Sequence, residues 1–217
     1  MIVLAFDTST SACSAALWRD GTVLARRFAP MARGQSEALM PMIAEVMAEA
    51  GLGFGDLGLI GVTVGPGAFT GIRIALATAR AIALAAGLPV AGITTTEAAA
   101  AAIPEAERAG RTLIAALDGK RADYFVQAFA ADLTPLTGLK ALLPQQVPGL
   151  VAGETVLAGD GAAALAAILP EAVVPAAAGP VDAAALAVRA ALHYRRGTAL
   201  PAQPLYLRPP DVTLPAP

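Results

Sequence analysis

The order of strand and helix patterns in the first hundred residues restricts the fold of this chain more than any other feature. Three short apolar segments come first, at residues 2–6, 12–18 and 22–28. The Asp20-Gly21 pair between the last two is typical of a tight β-hairpin. Helix and strand patterns then alternate as far as residue 102. A strand meander followed by alternating helices and strands predicts a mixed sheet with helices packed on it.

The alternating part begins with a predicted helix over residues 36–50, with Ser36 as its N-cap. Pro41 lies one turn inside and is expected to kink this helix or to shift its start. Four elements are predicted after it: a strand at 59–64, a helix at 72–86, a strand at 90–93 and a helix at 95–102. This order is that of the ribonuclease-H-like lobe of the actin and sugar-kinase superfamily. The sequence therefore predicts an α/β, actin-like ATPase (ASKHA) fold.

The strand pattern starts again after residue 110, which predicts a second lobe. Its predicted elements are a hairpin of strands at 112–117 and 124–129, a strand at 155–158, and helices at 162–169 and 182–196. We expect this lobe to be reduced, because it is too short for a full nucleotide cleft. The predicted domains are an N-terminal partner-binding lobe at 1–103, a reduced C-terminal lobe at 104–200 and a Pro-rich surface arm at 201–217.

Charge and composition restrict the function. The 15 Lys and Arg residues against 17 Asp and Glu give a formal charge of −2, so tight autonomous binding of RNA or DNA is not expected. Apolar residues make up 56 % and charged residues 15 %, which predicts a folded chain with a protein partner on part of its surface. Gly, Thr and Pro interrupt the long apolar stretches, and the N-terminus has no basic region. We therefore expect no membrane span and no signal peptide, and a cytoplasmic protein.

Two side chains with metal-binding or nucleophilic chemistry occur only once each. Cys13 alternates within a predicted strand and is interpreted as a small buried apolar residue. His193 has no second His or carboxylate at a helical spacing that would complete a metal site. The sequence therefore predicts no metal, no cofactor and no catalytic residue of its own.

The most specific motif is a glycine-rich segment between the strand at 59–64 and the helix at 72–86. Its candidate site residues are Gly65, Gly67, Thr70 and Gly71. Glycines at a strand-to-helix turn allow backbone N–H groups to approach an anion. The alternative, which we favour from sequence alone, is a rigid turn. In that case Gly65, Gly67 and Gly71 would have positive φ and Phe69 would fill the lobe.

Asp7, Thr8 and Ser9 follow the first predicted strand. In actin-like ATPases a carboxylate at this place orients a metal-bound water, and small hydroxyl residues cradle phosphate, so these three residues are candidates for a nucleotide loop. An Asx-type turn stabilised by the hydroxyl groups explains the same residues equally well. The Asp118-Gly119-Lys120 turn of the second predicted hairpin occupies the corresponding place in the other lobe.

The two long helices of the first lobe are predicted to form a partner interface. The helix at 72–86 is apolar on almost every side, which indicates burial on most sides, with one side against another subunit. An ordinary core filled by alanine is the alternative. The candidate interface residues are Leu39, Met42, Ile43, Val46, Met47, Ile72, Ala75, Leu76, Ala79, Ile82 and Ala83.

Four segments together carry a family resemblance. They are Leu-Ala-Phe-Asp-Thr-Ser-Thr-Ser-Ala-Cys-Ser-Ala-Ala-Leu at 4–17, Gly-Pro-Gly-Ala-Phe-Thr-Gly-Ile-Arg-Ile at 65–74, Ala-Ala-Leu-Asp at 115–118 and Pro-Leu-Tyr-Leu-Arg at 204–208. With these segments the chain resembles the bacterial TsaB (YeaZ) family over nearly its whole length. It departs from the family at Ala68, where serine is usual, and at Asp118-Gly-Lys, where Asp-Ala-Arg is common. The missing hydroxyl at Ala68 weakens the phosphate-binding interpretation of the glycine-rich segment.

The resemblance implies a two-lobed actin-like fold and a role in making N6-threonylcarbamoyladenosine (t6A) at position 37 of tRNAs that read ANN codons. It implies a non-catalytic subunit that activates the related transferase subunit TsaD, with the small ATPase TsaE completing the complex and tRNA bound only through it. TsaD holds its metal through a His-x-x-x-His pair, and the matching region here, 34–41, has no histidine. The resemblance also implies that the two helices pack against TsaD, or against a second copy when TsaD is absent. The alternative function is a nucleotide-binding ATPase or kinase-like enzyme that uses Asp7 and the glycine-rich segment.

Overall fold

The computed structural model describes residues 1–208, which form two lobes that are each built on one sheet. The first sheet has five strands in the order β3-β2-β1-β4-β5. In it β1 pairs antiparallel with β2 and parallel with β4. Its strands are β1 (Ile2–Asp7), β2 (Ala12–Arg19), β3 (Thr22–Pro30), β4 (Leu59–Gly65) and β5 (Val90–Thr94). The predicted meander and the hairpin at Asp20-Gly21 are confirmed, because both turn residues have the positive φ that such a turn requires.

The second sheet has four strands in the order β8-β7-β6-β9. They are β6 (Thr112–Asp118), β7 (Tyr124–Phe129), β8 (Lys140–Leu142) and β9 (Thr155–Ala158). The predicted hairpin and the strand at 155–158 are confirmed. The short strand β8 was not predicted, because three residues beside a Pro-rich stretch carry no period of two.

Six α-helices connect and cover these sheets within the described residues. They are α1 (Gln35–Ala50), α2 (Phe69–Ala86), α3 (Thr95–Ala101), α4 (Glu105–Arg108), α5 (Ala162–Leu165) and α6 (Ala183–Arg196). Two predictions about helix ends are wrong. Ser36 is not the N-cap of α1, because Gly34 precedes the helix and the Ser36 Oγ donates instead to Glu37 Oε2 at 2.7 Å. The helix predicted at 162–169 is limited to the four residues of α5.

Helices cover both faces of the first sheet. α1 and α2 pack on one face, where Leu39 and Ile72 join the core formed by Leu4 and Phe6. α6 packs on the other face, where Leu186 lies among residues such as Val3 and Leu59. α6 therefore covers the second face of the first sheet, although it follows the second lobe in sequence. The predicted boundary at 103/104 separates this helix from the sheet that it covers.

Pro41 lies inside α1, which begins before it at Gln35, so the proline does not shift the start of the helix. α2 is the one helix in residues 1–208 that is long and apolar enough to cross a membrane by length and composition alone. A third of its 18 residues are buried on the first sheet, and core helices of soluble proteins pass the same test. Its remaining surface is largely apolar and faces outward.

The chain returns to the first lobe after α6, along residues 200–208, which we name the C-terminal strap. Leu200 forms an antiparallel bridge with Gly92 of β5, and the Leu205 N–H donates to the Val64 carbonyl of β4 at 2.7 Å. The predicted surface arm therefore contacts strands of the first sheet over its described part. Its remainder, residues 209–217, lies outside the described residues.

Candidate functional site

Asp7 ends β1 and is fully buried. Its Oδ1 accepts hydrogen bonds from the Ser9 Oγ at 2.5 Å and from the Thr63 Oγ1, and its Oδ2 accepts from the Thr10 Oγ1 at 3.2 Å. Burial raises the pKa of Asp7, although each of these hydrogen bonds lowers it. The carboxyl group is therefore held by hydroxyl groups of the protein and has no exposed surface for a metal-bound water.

The glycine-rich segment lies directly against the loop that carries Thr8 and Ser9. The Ala68 N–H donates to the Ser9 carbonyl at 2.8 Å, and the Thr8 Oγ1 donates to the Gly71 carbonyl at 2.6 Å. A Cβ atom added to Gly67 would lie 2.3 Å from the Ser9 carbonyl oxygen, and one added to Gly71 would lie 1.9 Å from that of Thr8. The two loops are thus in direct backbone contact.

The rigid-turn interpretation of this segment needs two corrections. Gly65 has a φ of 116°, as expected, but Gly67 and Gly71 do not have positive φ, and steric contact rather than backbone conformation requires glycine there. Phe69 does not fill the lobe either. Its side chain is 46 % exposed and stacks on Tyr206 with ring centroids 5.4 Å apart. Thr70 is exposed at the start of α2.

In the second lobe, Asp118 stabilises its own hairpin turn. Its carboxylate accepts from the Lys120 N–H at 2.7 Å and from the Lys120 Nζ at 2.9 Å. Partial burial raises the pKa of Asp118, but the hydrogen bonds from Lys120 outweigh it and hold the pKa below the ordinary value. Asp118 thus acts as a turn residue, which is one of the interpretations that the sequence allowed.

Asp160 connects the two lobes and was not predicted as a site residue. Its Oδ2 accepts from the Ser11 N–H at 3.3 Å and from the Ser11 Oγ at 3.1 Å. Its Oδ1 accepts from the Asp118 N–H at 3.0 Å. The one signal in the sequence is that this carboxylate stands between Gly159 and Gly161, and such a turn does not identify its partners.

A cleft of about 380 Å³ opens between the lobes. The glycine-rich segment and the tip of the β6–β7 hairpin form two of its sides, and the C-terminal strap forms the third. Arg73 lies beside it, with its guanidinium carbon 3.6 Å from the centroid of the Phe69 ring. The cleft is therefore adjacent to the predicted nucleotide loops but separated from Asp7 by the contact between those loops.

The structure places nearly all of the predicted interface residues in the core of the first lobe. The buried ones are Leu39, Ile43, Val46, Met47, Ile72, Ala75, Leu76, Ala79 and Ile82, while Met42 and Ala83 are partly buried against the same core. Of this set only Ile82 also lines the outward surface of the helix pair, because the helical period reveals the apolar side of a helix but not what covers it. The sheet of the same chain covers it here.

The outward face of the same helix pair carries a second apolar surface, which we name the α1–α2 groove. It has a volume of about 650 Å³ and lies between α1, α2 and the short 3₁₀ turn at Phe54–Asp56. The residues that line it are Met40, Phe54, Ala77, Thr78, Ala81, Ile82, Ala85 and Ala86. Most of them were not predicted from the sequence. Alanines on the outer face of a helix cannot be distinguished by pattern from alanines that face the core.

Cys13 is buried in the first lobe, and His193 faces a carboxylate. Burial raises the pKa of the Cys13 thiol to about 11. The His193 Nε2 lies 2.6 Å from the Glu97 Oε1, which also pairs with Arg189. Within residues 1–208 there is no group of three or more His, Cys, Asp or Glu side chains placed to hold a metal ion.

Two lobes, a β-β-β-α-β-α-β start and an interlobe cleft define a protein with the actin-like ATPase fold. A crystal structure with that fold, the activator of 2-hydroxyisocaproyl-CoA dehydratase from Clostridium difficile, superposes with a TM-score of 0.56 at 14 % identity and covers 91 % of this chain and 97 % of its own. The family model described as "TsaD: tRNA N6-adenosine threonylcarbamoyltransferase" matches residues 28–189. The chain belongs to this family, in the branch of the TsaB (YeaZ) proteins.

Relatives named for this branch resemble the chain in both sequence and structure. The tRNA threonylcarbamoyladenosine biosynthesis protein TsaB of Escherichia coli is 36 % identical over 132 residues, which are 61 % of this chain and 56 % of the relative. The chain spans about half the length of the curated relatives that it matches first. YeaZ from Pseudomonas aeruginosa has a TM-score of 0.80 at 27 % identity, over 95 % of this chain and 99 % of its own.

Proposed function

We propose that this chain is an accessory subunit of the t6A machinery that binds the transferase TsaD through the α1–α2 groove and activates it. TsaE joins the same complex, and tRNA is bound through the complex rather than by this chain alone. The product is t6A at position 37 of tRNAs that read ANN codons, made in the cytoplasm. When TsaD is absent, the groove of one chain packs against the groove of a second copy. The resemblance to TsaB proteins supports a role in t6A biosynthesis.

The observation that carries the proposal is the exposed apolar surface of the α1–α2 groove. Of its large apolar side chains, Met40 is 47 % exposed and Phe54 is 38 % exposed. The lining of the groove carries no ionised group. Large apolar patches on soluble proteins usually mark sites of protein–protein contact, because removing apolar surface from water lowers the free energy.

A non-catalytic role is supported by the surroundings of Asp7. An ATPase of this fold needs a carboxylate that faces a bound metal and water. Here the carboxylate is buried under Ser9 and Thr63, and the glycine-rich segment occupies the neighbouring space. The alternative function, a nucleotide-binding ATPase or kinase-like enzyme, would require these loops to separate.

The experiment that tests the proposal is a reconstitution of tRNA threonylcarbamoylation. TsaD, TsaE and the enzyme that makes the threonylcarbamoyl adenylate are combined with or without this chain. We expect product only in its presence, and none from this chain without TsaD. Equal product with and without the chain would refute activation. Saturable binding of Mg-ATP to the isolated chain, with hydrolysis, would favour the alternative enzyme.

The place of contact is tested with matched alanine-to-glutamate variants. Ala81→Glu puts a charge into the centre of the groove, where docking would bury it without a partner, so we expect affinity for TsaD to fall by about a hundredfold or more. Ala164→Glu introduces the same charge on an exposed helical position of the second lobe and serves as the control. Charges at Val46 or Ala79 would not be informative, because both side chains are fully buried in the core.

A further inference from the structure

The C-terminal strap is built into the first lobe through two glycines. A Cβ atom at Gly92 would lie 2.7 Å from the Leu200 carbonyl oxygen, and one at Gly65 would lie 2.6 Å from that of Leu205. The Gly92 N–H donates to the Leu200 carbonyl at 2.9 Å, and the Leu200 N–H donates back at 3.0 Å. The backbone of the strap can approach β4 and β5 this closely only because these two positions lack side chains.

The strap also holds one flank of α2. The Arg80 Nε donates to the Ala202 carbonyl at 2.8 Å, and the Arg73 Nε donates to the Tyr206 hydroxyl at 2.8 Å. The Tyr206 ring stacks on Phe69, and the Arg73 guanidinium covers the Phe69 ring. These contacts reach α2 from its first turn to its fourth.

Helical spacing places this flank next to the α1–α2 groove. With 3.6 residues per turn, Phe69, Arg73 and Arg80 lie along one stripe of α2. The groove residues Ala77 and Ala81 occupy the stripe beside it, on the outward side. The sheet therefore supports α2 from below and the strap supports it from one side, while its outer face stays free for a partner.

The far end of the strap is attached to the second lobe. Arg208 forms an ion pair with Asp123, which precedes β7, and its guanidinium carbon lies 4.9 Å from the centroid of the Phe125 ring. Both ionic side chains are about four-fifths buried, so this pair is less screened than a surface pair. One short segment thus contacts the sheet, the partner-facing helix and the other lobe.

We propose that the C-terminal strap is a positioning element for docking: it holds α2 in the position that the α1–α2 groove requires and couples this position to the second lobe through Arg208 and Asp123. The inference rests on the proposed function, since it concerns the same docking face. It adds that residues outside the groove set the affinity for TsaD. It also assigns a role to Phe69, Arg73 and Tyr206, which the nucleotide-loop interpretation left without one.

The test uses a charge swap at the end of the strap that lies on the second lobe. Arg208→Asp and Asp123→Arg each place like charges together, while the double variant restores an ion pair in the opposite sense. We expect each single variant to weaken TsaD binding about fivefold to tenfold and to speed amide hydrogen exchange in α2. The double variant is expected to restore both quantities. Tyr206→Phe, which keeps the stack, is expected to be milder than Tyr206→Ala.

The outcomes separate this inference from the proposed function. If Ala81→Glu abolishes TsaD binding but both single strap variants bind like the wild type, the strap inference is wrong and the docking surface stands. If Ala81→Glu binds normally, the docking surface itself is wrong. If the single variants weaken binding without any change in α2 exchange, or if the double variant does not recover, the strap does not act through α2 and the inference is overturned.

Discussion

At the scale of single residues, burial and three hydroxyl groups act in opposite directions on the ionisation of Asp7. Ser9, Thr10 and Thr63 all donate to its carboxyl oxygens. The hydrogen bonds favour the ionised form, but complete burial opposes it more strongly, and the pKa of Asp7 is raised. A carboxylate in such surroundings stabilises a loop rather than taking part in chemistry at the surface.

Asp7→Asn tests this state through the pH dependence of stability. Because the folded pKa lies above the unfolded one, the native protein takes up a proton that the unfolded chain releases, and the wild type loses stability as pH rises from the unfolded to the folded pKa. We therefore expect the wild type to gain stability relative to Asp7→Asn when pH is lowered from about 7 to about 4.5. Urea unfolding of both proteins at each pH measures the difference. A shift in favour of Asp7→Asn on acidification would contradict the assignment.

Gly71 tests the contact between the two loops. Gly71→Ala would place a Cβ atom 1.9 Å from the Thr8 carbonyl oxygen, where only backbone movement can relieve the overlap. We expect a loss of about 3 kcal/mol in the free energy of unfolding. Gly138→Ala is the matched control, since a Cβ atom there meets nothing within 4 Å. Equal stability of the two variants in chemical denaturation would show that the loops are not in tight contact.

At the scale of elements, α6 illustrates how the sequence specifies a helix and its environment. The Asp182 Oδ1 accepts from the Ala184 N–H at 2.9 Å as an N-cap, and Gly197 ends the helix with a φ of 68°. Small residues allow the helix to approach the sheet closely, since a Cβ atom at Gly61 would lie 2.7 Å from the Ala190 Cβ. Local signals thus fix the ends of α6, and its alanine face fixes how near it can pack.

Asp182→Ala and Asp182→Asn separate the two roles of this cap residue. Asp182 also pairs with Arg26 on β3. Asparagine keeps a capping oxygen but loses the charge, so we expect Asp182→Asn to cost a few tenths of a kcal/mol. Asp182→Ala removes both interactions and is expected to cost about 1 kcal/mol or slightly more. Thermal unfolding of the two variants beside the wild type measures both. A larger loss for Asp182→Asn than for Asp182→Ala would contradict the cap.

The elements also show which parts of the fold can be predicted from local sequence patterns. The strands β4 and β9 and the end of α6 at Gly197 could be predicted, because apolar runs and glycine stops are local signals. The α1 stripe was correctly identified as apolar, but the sheet of the same chain covers it. What covers the stripe depends on where the sheet lies, and therefore on pairing between strands that are distant in sequence. The groove residue Ala81 has no local signal, and the two glycines beside Asp160 do not identify its partners in the other lobe.

At the scale of the whole molecule, two connections hold the lobes together on different sides of the cleft. Asp160 joins Ser11 to the Asp118 backbone, and the Arg208–Asp123 pair ties the strap to the second lobe. Each contact is charge-assisted and at least partly buried, so each is stronger than an exposed neutral hydrogen bond. These polar contacts add to the apolar packing between the lobes, in which Leu117 and Phe125 of the second sheet join a core with Ile93 of the first.

Asp160→Ala is expected to loosen the lobes without unfolding either of them. The Ser11 and Asp118 N–H groups would lose their acceptor, and we expect amide hydrogen exchange at both to increase by about tenfold. Asp160→Asn keeps one carbonyl oxygen and should lie between the wild type and Asp160→Ala. Protection at both amides that stays unchanged in Asp160→Ala would show that another group holds the lobes.

The position of α6 in the chain has a consequence for synthesis on the ribosome. The face of the first sheet around Val3, Ala5 and Leu59 stays uncovered until residues 183–196 have been translated. A chain released after residue 103 would therefore expose a flat apolar surface, and the first lobe should not fold as an independent fragment. The second lobe is completed before the first, and the C-terminal strap closes the molecule last. The first lobe, which is translated first, is thus completed only after the second.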